Sequence, residues 1–224
     1  GIVPTGSTDV FIPSGGTQPV IGAAAFCNSI IIGSGASLQI TGSNTLTVSG
    51  SWSNAGSFTA NTSTVIFDGA AQAVGTGPYF NLTLAGSGIK TLTGVTVNGT
   101  LSMEGTATVS GAPTYGAGAT LQYNRSTSLT AGAEWLNTFA ATGGVVIANT
   151  GTISPGANKT FSANVPLTVN SGATLSISNN LTFNGDFINS GGTASGTGTV
   201  TIAGTATQNI GAFTTTNTVS MTKT

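Results

Sequence analysis

The chain has 224 residues, of which only 4% are charged, and its formal net charge is −1. Its four basic residues, Lys90, Arg125, Lys159 and Lys223, are too few and too dispersed for the basic patch that nucleic acid or an anionic membrane surface demands, so no nucleic-acid partner is expected. No apolar run approaches the roughly 20 residues of a spanning helix, so no membrane insertion is expected, while a hydrophobic content of 38% is enough to build a core.

The opening, GIVPTGSTDVFIPSGGTQP, is punctuated by Pro4, Pro13 and Pro19. No signal peptide is expected in this stretch, which is compatible with a processed N-terminus and reads over residues 1–19 as a cap or edge strand. Cys27 is the only cysteine, which excludes an intrachain disulfide and a cysteine metal cluster. Beside Phe26 it reads as a small buried hydrophobe.

From there strands follow one another: SLQIT, TLTVS, STVIFDG, NLTLAG, VTVNG, ATLQYN, GVVIAN, PLTVN, TLSIS, LTFNG and GTVTIAG. Each alternates apolar with polar side chains and ends on Gly, Asn or Ser, which is the pattern of a half-buried strand closed by a turn. Helix signals are nearly absent; the best, Ala133–Ala141, is short and has strand-favouring neighbours. The middle stretch, residues 112–144, loses the rhythm and reads as an irregular excursion. Within it Arg125, Glu134 and Trp135 are candidate surface-contact residues.

A long internal repeat sets the architecture. The segment from Ser29 recurs from Pro166: Leu38 and Ile40 match Leu175 and Ile177, Trp52 matches Phe187, and Gly35 and Gly50 match Gly172 and Gly185. A shorter echo links the run from Lys90 (KTLTG) to that from Lys159 (KTFSA). The matched positions are inward aliphatics and turn glycines, while outward polar positions vary. We read this as an all-β chain, a parallel β-solenoid (β-helix) of short repeated coils with about three strands each, forming one domain over 1–224. The alternative is a pair of antiparallel β-sandwich domains joined near Ser110–Ala119.

Chemistry is sparse. The chain has no histidine, which removes Ser-His-Asp and Cys-His sites and most zinc sites. The carboxylates Asp9, Asp68, Glu104, Glu134 and Asp186 are scattered, and Asp68 and Asp186 flank turn glycines. No enzyme, no cofactor and no metal site are expected; SGGTASGTG has the glycines of a calcium roll without its aspartates. Thr-x-Thr pairs at Thr91/Thr93, Thr106/Thr108, Thr199/Thr201 and Thr205/Thr207 are candidates for a flat ice-binding face. The repeat does not preserve such pairs: Thr45/Thr47 becomes Asn180/Thr182.

The run SGATLSISNNLTFNGDFINSGG, with GTVTIAGTATQNI, resembles repeat-rich surface proteins of Bacteroidota-type bacteria. That resemblance implies an extracellular, cell-surface adhesin, stalk or filament-forming module, and it supplies no catalytic residues. The expected partners are the protein itself, through open sheet edges at Ile2–Pro13 and Thr215–Thr222, or a surface or glycan ligand. The alternative function is ice binding.

Overall fold

The structure is a computed structural model and describes residues 3–223. It is all-β, with parallel strands recurring about 20 residues apart in a β-solenoid of about 11 turns. The parallel pairing excludes antiparallel sandwiches. The chain divides into two compact units, Gly1–Gly116 and Ala117–Thr224.

In the first unit each coil contributes one short strand to each of three walls. One wall stacks Ala25–Cys27, Thr45–Val48, Thr64–Phe67, Asn81–Leu84 and Thr100–Met103 in that order. A second begins with Val10–Ile12, Ile30–Ile32 and Trp52–Asn54, and a third with Val20–Ile21, Ser37–Ile40 and Ser57–Thr59. The alternation explains the burial: Leu46, Val65 and Leu82 lie side by side in register and are all buried, while Thr45, Thr64 and Asn81 face out. Trp52 is buried as the repeat implied, with its ring 4.8 Å from Phe58 and 5.8 Å from Tyr79.

The second unit has the same plan. One wall stacks Leu129–Thr130, Thr152–Ser154, Thr174–Ile177, Thr193–Gly196 and Thr214–Thr215. Another stacks Thr138–Phe139, Lys159–Phe161, Leu181–Phe183, Val200–Ile202 and Val219–Met221. Inside, Trp135, Phe161, Phe183 and Phe187 run as a column, with 5.4 Å between the Phe161 and Phe183 rings and 5.3 Å between Phe183 and Phe187. Each such pair contributes about 0.5–1.5 kcal/mol beyond its area burial.

The repeated glycines have a backbone reason. Gly35 and its repeat counterpart Gly172 take φ of +75° and +78°, in the left-handed region that other residues enter at a cost. The same corner therefore demands the same residue in both copies.

Two boundary expectations are refined. Of the expected cap, Gly1 and Ile2 lie outside the described residues, and Val10–Ile12 is the first strand of a coil, in register with Ile30–Ile32. The excursion is narrower than 112–144. Strands Thr114–Tyr115, Thr120–Tyr123, Leu129–Thr130 and Thr138–Phe139 continue the coiling, and only the loop between Thr130 and Thr138 departs from it.

Candidate functional site

The alternation that buries the aliphatics leaves hydroxyls on the outside, and strand register decides which of them form rows. In the second unit Thr152, Thr174 and Thr193 are register neighbours. Thr130 pairs with Ser154, and Ser176 pairs with Ser195, which pairs with Thr214. The result is a Thr-x-Ser pair on three successive strands of one wall: Thr152/Ser154, Thr174/Ser176 and Thr193/Ser195. Rows lie about 4.8 Å apart between strands, and the paired hydroxyls about 7 Å apart along a strand. The adjoining wall carries a single file, Thr138, Thr160, Thr182, Thr201 and Ser220, with Ser220 Oγ donating to Thr201 Oγ1 at 3.2 Å.

The threonines singled out by sequence lie elsewhere, apart from Thr201. Thr91 and Thr108 are exposed on adjacent strands, but they are not direct neighbours: Thr108 pairs with Ile89, and Thr91 with Ser110. Their partners Thr93 and Thr106 sit in turns, Thr199 falls just before a strand, and Thr205 and Thr207 lie in the loop that follows Ile202. A Thr-x-Thr pair that straddles a strand end does not form a flat array. Sequence spacing alone could not show this, because the wall depends on where each corner falls.

The expected contact residues are interior. Arg125 is 3% exposed, and Glu134 and Trp135 are each 1% exposed. The loop after Thr130 folds inward, so Glu134 and Trp135 fill the coil instead of facing solvent. Glu134 accepts from Tyr123 Oη at 3.0 Å and from the Gly132 amide at 3.0 Å. Arg125 Nε donates to the Thr127 carbonyl at 3.0 Å. Burial holds the Arg125 guanidinium below its ordinary value, against the opposing charge of Glu134.

Two of the lysines are interior as well. Lys90 is fully buried; its Nζ donates to the carbonyls of Gly69 and Ala70 at 2.7 Å each, and to Gln72 Oε1. Burial pulls this amine down to about 8, partly countered by Asp68. Gln72 completes the corner by donating to the carbonyls of Val48 and Gly50 in the preceding coil. Lys159, its echo in the sequence, is also buried, donates to the Trp135 carbonyl and to Asn137 Oδ1 at 3.3 Å, and stands 5.7 Å from the Trp135 ring. Its amine is lowered chiefly by burial, against Glu134. Lys90 alternates with buried Leu92, and Lys159 with buried Phe161. The repeat echo therefore carried the signal that both lysines face inward.

A second copy of the corner occurs at Gln208 and Lys223. Gln208 Nε2 donates to Phe183 O at 3.0 Å and Gly185 O at 2.8 Å, the repeat counterparts of Val48 and Gly50. Lys223 Nζ donates to Ala206 O at 2.6 Å and Gln208 Oε1 at 3.0 Å, just as Lys90 engages Gln72. In both copies the glutamine reaches back to two carbonyls of the preceding coil, and the lysine of the following coil holds that glutamine.

The carboxylates are employed locally. Asp9 accepts from the Ser29 amide at 3.0 Å and Asn28 Nδ2 at 2.8 Å, and Asp186 from the Asn209 amide at 2.9 Å. The Ser29 amide, followed by Asn28, holds the Asp9 carboxyl below the usual range. Among the described residues no three of His, Cys, Asp and Glu come together to hold a metal ion. Cys27 is buried, and burial, then the charge of Asp9, pushes its thiol up to about 11, so it stays protonated near neutrality. Among the described residues no helix is long and apolar enough to cross a membrane.

No protein-family model matches the chain, and comparison with curated proteins and with solved structures found no match.

Proposed function

We propose that the chain is a non-enzymatic, extracellular structural module: the wall of a cell-surface stalk or adhesin. The observation that carries this reading is the outer surface. Three of the four basic side chains, Lys90, Arg125 and Lys159, are buried, and the walls present Thr, Ser and Asn over parallel ladders. Such a wall stays wetted without a charge pattern that would attract polyions. The ladders and the stacked core make it stiff. The experiment is antibody labelling of intact source cells. Labelling without permeabilisation is expected, and labelling only after permeabilisation overturns the reading.

The Thr-x-Ser pairs at Thr152/Ser154, Thr174/Ser176 and Thr193/Ser195 favour ice binding as a second reading, since a regular two-file array of hydroxyls and small side chains can match an ordered water lattice. Thermal hysteresis and ice shaping test it. Activity that is lost in Thr174→Tyr supports it, and wild-type protein without hysteresis removes it.

A further inference from the structure

Each lysine of the chain rests on a side-chain carboxamide of the preceding coil. Lys90 Nζ meets Gln72 Oε1, Lys223 Nζ meets Gln208 Oε1 at 3.0 Å, and Lys159 Nζ meets Asn137 Oδ1 at 3.3 Å. An amine and a carboxamide are the two halves of an amide exchange. The corner at Lys159 adds a third component, because Glu134 is the only buried carboxylate among the described residues.

These three groups are brought together by register. Thr160 pairs with Thr138, and its amide donates to the Asn137 carbonyl at 2.7 Å, so Lys159 stands over Asn137 in the following coil. The amine also donates to the carbonyl of Trp135, which seats it between Glu134 and Asn137 along the loop. Its 3.3 Å to Oδ1 lies within the about 3–3.5 Å from which positioned groups react, and Cγ is one bond from that oxygen. Glu134 is fixed by the Tyr123 hydroxyl and the Gly132 amide, and its charge acts on the Lys159 amine. On the apolar side stand the rings of Trp135, 5.7 Å from Nζ, and Phe161. Such a wall favours the neutral amine and excludes competing water. Asn137 is itself exposed, and among the described residues nothing accepts from its Nδ2, so a departing nitrogen has a way out. The corner at Lys90 lacks these features. There Gln72 Nε2 is committed to the Val48 and Gly50 carbonyls, and the acid acting on the lysine, Asp68, is exposed.

We infer that Lys159 and Asn137 join in an intramolecular isopeptide bond, with Glu134 carrying the protons. Lys159 Nζ yields one proton to the Glu134 carboxylate and attacks Asn137 Cγ as a neutral amine. The Nζ–Cγ bond forms and negative charge collects on Oδ1. Glu134 passes its proton to Nδ2 and takes a second one from Nζ. As Oδ1 re-forms the carbonyl, the Cγ–Nδ2 bond breaks with its electron pair on nitrogen. That nitrogen takes the remaining proton and leaves as ammonium, which restores the Glu134 carboxylate. No oxidant or co-reactant is consumed. Freshly folded protein carries the hydrogen-bonded pair described above, and the bond forms from it, tying two successive coils covalently. This holds wherever the protein is displayed.

The test is intact-mass spectrometry of the purified protein after prolonged incubation at mildly basic pH, with peptide mapping after denaturing digestion. Wild-type protein is expected to be lighter than its sequence requires by one ammonia, with the Asn137 and Lys159 peptides joined. Asn137→Ala changes an exposed side chain, is expected to fold as judged by far-UV circular dichroism, and is expected to keep its full mass. Lys159→Met is expected to keep its full mass too. Glu134→Gln keeps the shape of the side chain without its proton relay, and is expected to leave the two peptides separate in folded protein. Wild-type protein at its full mass overturns the proposal, as does an ammonia loss that persists in Asn137→Ala. Complete joining in folded Glu134→Gln overturns the role given to Glu134.

Discussion

Gln72 with Lys90, and Gln208 with Lys223, build the same corner in the two units, yet one lysine is sealed and the other is open. The hydrogen bonds are equivalent: each glutamine forks two carbonyls one coil back, and each lysine crosses to that glutamine and to the carbonyl chain beside it. What differs is the coil above. Burial of a cation in this fold is conferred by the next coil, and its own strand only supplies the inward direction. A buried amine needs all its acceptors fixed, because there is no water to replace a lost one. An open amine does not.

The largest test of this contrast involves the third cationic corner, where Lys159 and Arg125 share the charge of one carboxylate. Glu134→Ala leaves both cations interior with their common counter-charge removed, and is expected to cost about 3–5 kcal/mol in chemical denaturation. Next, Lys90→Met removes the amine from Gln72 Oε1 and from the Gly69 and Ala70 carbonyls and is expected to cost about 1–3 kcal/mol. Lys223→Met, with the same bonds but in solvent, is expected to leave the denaturation midpoint of monomeric protein unchanged. A smaller effect is set by pH. The folded-state value of Lys90, about 8, lies below its unfolded value of 10.5. Between these values the unfolded chain binds more protons, so stability should rise with pH across that window and be flat below it with respect to this group. Lys159 acts in the same direction, and Lys90→Met should shrink the rise. The smallest effect belongs to the outer wall: Thr182→Val, in the middle of a hydroxyl file, is expected to stay within about 0.5 kcal/mol of wild type. A larger loss there would mean that the file is part of the stability of the wall.

Much of the interior was legible. Leu38, Ile40, Leu175 and Ile177 announced themselves by alternation and by recurrence, and Trp52 declared itself core by aligning with Phe187. Arg125, Glu134 and Trp135 misled, because charge and an unmatched tryptophan read as surface when no partner is visible. Their partners, Tyr123, Thr127 and Lys159, come from the flanking strand, the adjoining turn and the next coil. The threonine rows misled for a related reason. Thr91/Thr93 is a good pair in one dimension, but Thr93 has already left the strand. Thr152/Ser154, Thr174/Ser176 and Thr193/Ser195, which do align, were hidden inside the unremarkable words TIS, TLS and TAS.

The amino-acid sequence by itself determined the period: apolar side chains on every second position, a glycine or asparagine at each corner, and hence parallel coils with a continuous aliphatic interior. Side-chain direction in a strand follows from local backbone geometry, so it can be read locally. Only the tertiary structure decided which hydroxyls form rows and which cations are drawn into the core. Those outcomes depend on register between coils, which is the summed consequence of loop lengths that vary from one turn to the next.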